Sequence, residues 1–380
     1  MRVLLISPLD PDVPLNLKFL MGGENTYTRT LLANPPPGVT YVHHTDALKK
    51  GEVRYGSFHA FLRTLVKFRI LPLSAGTVDV EILGKFDLVH CHAYTLRLSG
   101  SLRHIPVVMG DSIPNRWGLS QYFGQGRLRI EATYGLRRAM HSLLSVYDQD
   151  LSLGNFSKLL VMSEFAKQEH IALGADPAKI AVIYPGLSDR AEPSVRKVGP
   201  VRLLFAGVWF ERKGGMILWE AYRKVREMLG DTVRLTILGP VPKNYKLQMT
   251  NDKSYGITQH DFVSYDRLVS EFYPAADILV HVPPKAEGYG LVVCEAMSFG
   301  IPVVASRLGA LPEMVVDGQT GLLVRPGSVG DLAEALERLV LDADLRGRLG
   351  QAARRRYLAH FSLSVMQKKL FRIYEEAIED

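Results

Sequence analysis

Two series of short apolar runs, each alternating with helical periodicity, leave this chain few folds to choose from. In the first half the runs fall at residues 3–7, 39–43, 88–92, 107–109, 159–162 and 180–183. The second half repeats the scheme at residues 202–206, 233–238, 261–263, 278–281 and 303–305. Each run is brief, rich in β-branched residues and nearly continuous. Strands of that kind are covered on both faces, as happens in parallel sheets flanked by helices. Between the two series, Tyr184-Pro-Gly-Leu-Ser-Asp-Arg-Ala-Glu-Pro193 through Gly199-Pro200 carries Pro, Gly and charge without any period. It reads as a linker. The expected organisation is α/β: a doubly wound domain over residues 1–186, a linker at 187–199, a second such domain over 200–361, and a closing helix at 362–380. Met366, Leu370, Ile373 and Tyr374 give that helix its apolar stripe. Two such domains facing each other make a cleft, and ligands bind beyond the carboxyl ends of their strands.

A length of 380 residues is too great for one ordinary core, and 47% hydrophobic residues describe a folded chain. No apolar run is long enough to cross a bilayer, and Met1-Arg-Val-Leu-Leu-Ile-Ser-Pro-Leu-Asp10 reads as a strand rather than a secretion signal. Cys91 and Cys294 have neither metal nor disulfide spacing, so a reduced, cytoplasmic setting is expected. The net charge of +7 contains no Lys/Arg block with interleaved aromatics, which argues against nucleic acid. Residues 54–72 are locally distinctive: Arg54, Arg63, Lys67 and Arg69 alternate with Phe58, Phe61, Leu65, Phe68 and Ile70, with no acidic residue between Glu52 and Asp79. Two readings stand: a partly buried helix with a solvated basic edge, or a segment peripheral on an anionic membrane surface.

Chemistry-bearing residues gather just after the strands. Glu287-Gly-Tyr-Gly-Leu-Val-Val-Cys-Glu295 sets two carboxylates eight positions apart, around a glycine turn that opens a helix over residues 291–299. Backbone N–H groups at such a helix start suit phosphate, and flanking carboxylates accept hydrogen bonds from sugar hydroxyls. Phosphate flanked by hydroxyls describes a nucleotide sugar. Gly207 and the pair Arg212-Lys213 sit at another strand-to-helix corner, where a guanidinium fork and an ammonium can neutralise a diphosphate. In Asp87-Leu-Val-His90-Cys-His92 the two histidines share a strand face. His90 reads as a core histidine and His92, at the strand tip, as a sugar contact; zinc would need a third ligand, and no metal is expected. Gly22-Gly23-Glu24 is expected in the loop after the first strand, where backbone can approach a ligand.

These residues resemble the retaining glycosyltransferases of GT-B fold, and glycosyltransferase family 4 most closely. The resemblance rests on the Glu-x7-Glu spacing of Glu287 and Glu295, Val161-Met-Ser-Glu-Phe165, Ile183-Tyr-Pro-Gly186, Arg212-Lys-Gly214, Pro302-Val-Val-Ala305, Pro312-Glu313 and Gly318-Gln-Thr-Gly-Leu-Leu323, all in the family's order. It implies two Rossmann-like domains and a donor held mainly by the second. It implies that Glu295 grips the ribose and Glu287 the transferred sugar. Gly288, Tyr289, Gly290 and Leu291, with Arg212 and Lys213, would take the diphosphate, Gly22 and Gly23 would approach from the other domain, and His92 would lie beside the sugar. The closing helix would cross back onto the first domain. No cofactor is implied beyond the donor itself, and the acceptor is a sugar, a glycan or a lipid-linked sugar. Two departures matter: Val208 stands where the family often has Arg, and Met109-Gly-Asp111-Ser-Ile-Pro114 replaces a Thr-x-His motif on the acceptor side, leaving Glu24 and Asp111 as the acceptor-side candidates. The expected chemistry is metal-independent, front-face transfer of a hexose-type sugar. A nucleotide-sugar epimerase or hydrolase and a non-catalytic binding module are the alternatives; a nicotinamide dehydrogenase is disfavoured by the missing glycine fingerprint.

Overall fold

The computed structural model describes residues 1–8, 22–61, 77–99, 105–121, 125–152, 154–187, 199–243, 245 and 256–379. It divides into two units, Met1–Gly186 with Ser364–Asp380, and Leu187–Leu363.

Unit 1 contains β1 (Arg2–Ile6), β2 (Thr40–His43), β3 (Val53–Tyr55), β4 (Thr77–Ile82), β5 (Leu88–His92), β6 (Thr95–Ser99), β7 (Val107–Asp111), β8 (Lys158–Val161) and β9 (Ile180–Val182). Six of these form one sheet in the order β2-β1-β5-β7-β8-β9, every neighbouring pair parallel. Leu4, Ile6, Val89, Cys91, Val107, Met109, Leu159 and Val161 form its core, each fully buried Leu, Val or Ile contributing about 1.5–3 kcal/mol. The strand order turns back between β1 and β5, and His92 closes β5 at that point. Helices α1 (Gly22–Ala33), α2 (Arg127–Leu143) and α3 (Glu164–Ala172) belong to this unit.

In unit 2, β10 (Val201–Ala206), β11 (Val233–Leu238), β12 (Ile257–His260), β13 (Ile278–His281), β14 (Val303–Ser306) and β15 (Gly321–Val324) form a parallel sheet in the order β12-β11-β10-β13-β14-β15. This is the doubly wound order, with its switch point between β10 and β13. Helices α4 (Gly215–Leu229) and α6 (Val329–Leu341) pack together over it, burying Leu218, Trp219, Tyr222 and Val225 from one and Leu332, Leu336 and Leu339 from the other. Between them in sequence comes α5 (Leu291–Ser298) and after them α7 (Ala343–His360). The last helix, α8 (Leu363–Glu379), buries Met366, Leu370, Ile373, Tyr374 and Ala377. Tyr374 Oη lies 2.9 Å from Tyr41 Oη and 2.7 Å from His90 Nδ1, which ties α8 to the sheet of unit 1.

Three local expectations change. Residues 261–263 are not a strand; β12 precedes them, pairs with β11 alone at the sheet edge, and leaves Phe262 46% exposed. None of the four residues of β12 is fully buried, and such a strand has no need of a continuous apolar run. β3, β4 and β6 form a separate small sheet whose alternate residues Val53, Val78, Val80, Ile82 and Leu96 are buried in the core of unit 1, while the charges between them pair as Arg54–Glu81 and Arg97–Asp79. Gly22 and Gly23 open α1 instead of lying in a loop, because Tyr27, Thr28 and Leu31 give the segment a buried helical stripe. Of the linker at 187–199, residues 188–198 lie outside the described residues, as do residues 62–72 of the basic segment. Among the described residues, no helix is long and apolar enough to cross a membrane.

Candidate functional site

At the switch point of unit 2, two loops leave adjacent strand ends. The loop after β10 runs through residues 207–214 and ends at Gly214, the N-cap of α4, with φ +86°. A Cβ at Gly214 would collide with the Val282 carbonyl, so only glycine lets this loop press against the end of β13. That approach delivers Lys213. Its stem crosses Gly207, where a Cβ would stand 2.9 Å from Lys213 Cγ. Its ammonium reaches the second loop and donates to Glu287 Oε1 at 2.5 Å.

Glu287 is 5% exposed and its carboxylate is held from two sides. Lys213 takes Oε1, while His281 Nε2, from the last residue of β13, lies 2.8 Å from Oε2. Arg212 Nη2 stands 4.0 Å from Oε1. Burial alone raises this carboxyl, but the Lys213 charge and then the His281 ring outweigh it and hold it well below the ordinary carboxylate range. Glu287 is therefore an ionised hydrogen-bond acceptor with very weak basicity.

Gly288, Tyr289 and Gly290 make the turn into α5, with Gly290 at the N-cap and φ +123°. The first amides of a helix have no carbonyl partner within it, which leaves the start of α5 disposed toward an anion. Tyr289 is buried, and burial pushes the Cys294 thiol up to about 12, with Tyr289 acting in the other direction. Glu295 sits one and a half turns into α5, 6% exposed, and accepts from Tyr273 Oη at 2.5 Å. Here no cation answers the burial. The carboxyl is pushed up to about 7, with the Tyr273 and Tyr265 hydroxyls opposing the rise. Two glutamates eight residues apart are thus driven in opposite directions by their surroundings.

Unit 2 therefore brings Arg212, Lys213, Glu287 and the turn at 288–291 together around the end of β13, with Glu295 one helix turn beyond. His281 was not among the residues singled out from the sequence. A histidine ending an apolar strand reads as a core residue, and only the contact with Glu287, six residues later, gives it a role. In unit 1, His92 ends β5, buried, with its ring centroid 4.6 Å from that of Tyr27 and 6.2 Å from that of His90. Asp111 ends the neighbouring β7, where Oδ1 accepts from the Ser112 amide at 2.8 Å and Oδ2 lies 3.7 Å from His170 Nε2. Of Gly22, Gly23 and Glu24 only the backbone is described. Among the described residues, no three His, Cys, Asp or Glu side chains converge as a metal-ligand set.

Comparison with known proteins bears on this arrangement. Residues 189–356, which hold all of the unit 2 site, match the family described as glycosyl transferases group 1. The D-inositol 3-phosphate glycosyltransferase of Arthrobacter sp. (strain FB24) is 33% identical over 201 residues, covering 51% of this chain and 47% of that protein. The one from Corynebacterium diphtheriae is 33% identical over 232 residues, covering 57% and 53%. The chain thus spans about half the length of these two relatives. The protein of the same name from Mycobacterium tuberculosis (strain F11) aligns over 93% of this chain and 74% of its own, at 26% identity. Among solved structures, Anabaena Alr3699/HepE in complex with UDP and glucose superposes with a TM-score of 0.65 at 14% identity, covering 98% of each chain. WaaG, a glycosyltransferase involved in lipopolysaccharide biosynthesis, gives 0.63 at 17% identity, covering 98% of this chain and 99% of its own. These likenesses establish the GT-B fold.

Proposed function

We propose that this chain, a GT-B protein whose residues 189–356 belong to the glycosyl transferases group 1 family, moves a sugar from a nucleoside-diphosphate sugar to an acceptor hydroxyl with retention of configuration. The observation that carries the reading is Glu287: a buried carboxylate kept ionised between Lys213 and His281, beside a glycine turn at a helix start. An ionised, weakly basic carboxylate cannot act as a general acid and is a poor general base. It is well suited to accept hydrogen bonds from hydroxyls of the transferred sugar. Glu295, eight residues on, takes the ribose hydroxyls.

Retention by double displacement would require a carboxylate nucleophile below the sugar. With Glu287 engaged by Lys213 and His281, and Glu295 assigned to the ribose, neither is available for that task. Front-face transfer is the better account. The bond from the anomeric carbon to the diphosphate oxygen breaks, the acceptor oxygen bonds to that carbon on the same face, and the acceptor proton passes to the departing phosphate. Arg212, Lys213 and the amides opening α5 stabilise the charge that gathers on the leaving group. In this reading the cationic side chains take the part a divalent metal plays elsewhere. His92 contributes on the sugar side.

The relatives' name and the ligands of the Anabaena structure set the first substrates to try: UDP-sugars as donors and inositol 3-phosphate as one acceptor among free sugars and lipid-linked sugars. The test is release of nucleoside diphosphate from UDP-, GDP- and ADP-sugars, with and without acceptor. Release that depends on acceptor and yields a retained-configuration product supports the reading. Conversion of the donor to an epimer or free sugar at the same rate without acceptor overturns it in favour of an epimerase or hydrolase.

A further inference from the structure

Two polar side chains sealed inside unit 1 have no place in the chemistry described so far. His90, in the middle of β5, and Tyr374, on α8, are both fully buried. A leucine and a phenylalanine would fill those places without the cost of burying an imidazole and a hydroxyl. What the polar pair adds is direction. Tyr374 Oη lies 2.7 Å from His90 Nδ1 and 2.9 Å from Tyr41 Oη of β2, so three elements of the unit meet in one chain of hydrogen bonds. A phenol is the better donor and a neutral imidazole the better acceptor, so Tyr374 donates to Nδ1 and Tyr41 donates to Tyr374. Burial, with His92 next, lowers His90 to about 3, and burial raises the Tyr374 phenol. The ring is therefore neutral and the phenol keeps its hydrogen.

A neutral ring that accepts at Nδ1 carries its hydrogen on Nε2. The same bond fixes which way the ring faces, since a half-turn about the Cβ–Cγ bond would set a C–H where Nδ1 now accepts. Nε2 is placed beside His92. Residues two apart on a strand share a face, and both rings lie over Gly110, the partner of His92 on β7. A Cβ at Gly110 would stand 3.2 Å from His90 Nε2 and 2.5 Å from His92 Nδ1, so the two nitrogens close on the same side-chain space. Glycine at that position is what admits both rings. Among the described residues none hydrogen-bonds His90 Nε2, and a buried donor left in that state calls for a reason. Its N–H acts on His92 as a fixed dipole at short range. His92 also packs against the Tyr27 ring, at 4.6 Å between centroids.

We propose that Tyr374 is a positioning residue for the transfer reaction: through the fixed ring of His90 it holds His92 in the orientation that serves the sugar. The closing helix then acts in the reaction as well as in the fold. This inference rests on the part given to His92 in the proposed function. A side chain oriented in this way loses its alignment, and not its place, when the hydroxyl behind it is removed, so the cost falls on turnover more than on binding.

The experiment compares full-chain variants with the donor and acceptor that serve the wild type best. Tyr374→Phe keeps the ring and removes the hydroxyl, and kcat should fall about tenfold or more. The donor KM and the Kd of free nucleoside diphosphate should be unchanged, because Arg212, Lys213, Glu287 and Glu295 are untouched. Tyr41→Phe is the control for stability. It also deletes one buried hydrogen bond but leaves Tyr374 donating to His90, so its melting temperature should drop while kcat stays near wild type. His90→Leu should lose as much kcat as Tyr374→Phe, and His90→Gln, which keeps an N–H near the place of Nε2, should recover part of it. Nitrogen-15 NMR of the histidine rings reads the relay without turnover. In the wild type His90 should carry its hydrogen on Nε2, and the His92 signals should shift in Tyr374→Phe. Wild-type kcat in Tyr374→Phe overturns the proposal. So do equal losses in Tyr374→Phe and Tyr41→Phe, equal losses in His90→Leu and His90→Gln, or a His90 hydrogen on Nδ1. Failure of the transfer reading is a separate result, seen in the wild type itself as donor breakdown that needs no acceptor.

Discussion

Replacing Glu295 by glutamine should stabilise the protein in mild alkali and leave it almost unchanged in mild acid. The carboxyl is buried, has hydroxyl partners but no cation, and moves from its ordinary 4.5 to about 7. A folded value above the unfolded one means that the native state holds the proton more tightly across that window. Stability therefore falls as pH rises from 4.5 through 7, at up to 1.36 kcal/mol per unit. By about pH 8 the accumulated penalty is about 3 kcal/mol, while near pH 5 it is below about 1 kcal/mol. Glutamine has no proton to lose and keeps an oxygen for Tyr273. The stability gap between variant and wild type should thus widen by about 2–3 kcal/mol between those two pH values. For a unit of this size that is about 5–10 °C in melting temperature. Paired urea or thermal melts across the range measure it, and every other titrating group is common to both proteins. A gap that stays flat with pH would refute the reasoning, because it would mean that Glu295 is ionised in the fold without strain. If ribose hydroxyls do engage the ionised form, nucleotide binding near neutrality should release protons, which calorimetry in buffers of different ionisation heat detects.

Lys213→Met should destabilise the fold by about 3–5 kcal/mol, since it leaves Glu287 buried with one partner fewer. In urea titrations that gap should close as pH falls below the ordinary carboxyl value of 4.5, where the unfolded chain takes up its proton and wild type loses the advantage of its depressed Glu287. His281→Ala should lower kcat roughly tenfold or more with a smaller change in donor KM, and His281→Gln, which retains an N–H donor, should recover part of it. Equal losses in both variants would reduce His281 to a packing residue. Turnover should persist in excess EDTA after dialysis against chelator, and a loss restored by magnesium or manganese would contradict the cationic account of the leaving group.

The main sheets were legible because parallel strands covered on both faces must be apolar nearly throughout. Residues 88–92, 233–238 and 278–281 carry that mark plainly. β3, β4 and β6 do not, since their buried Val53, Val78, Val80, Ile82 and Leu96 alternate with the paired charges of Arg54, Asp79, Glu81 and Arg97 and make no continuous apolar run. β12 escaped because none of its residues, Ile257–His260, is fully buried and they form no apolar run. In the site, the spacing of Glu287 and Glu295 pointed to a pair of hydroxyl-binding carboxylates, but nothing in the spacing separates their charge states. That difference comes from Lys213 and His281 on one side and Tyr273 on the other, residues 74, 6 and 22 positions away in the chain.

The most direct test is the turnover of Glu287→Ala with the donor and acceptor that serve the wild type best. The account predicts a fall of about a hundredfold or more in kcat, in a protein that still melts cooperatively and still binds the free nucleoside diphosphate. Transfer at close to the wild-type rate would mean that the carboxylate between Lys213 and His281 does not orient the donor sugar, and the proposed site would be wrong.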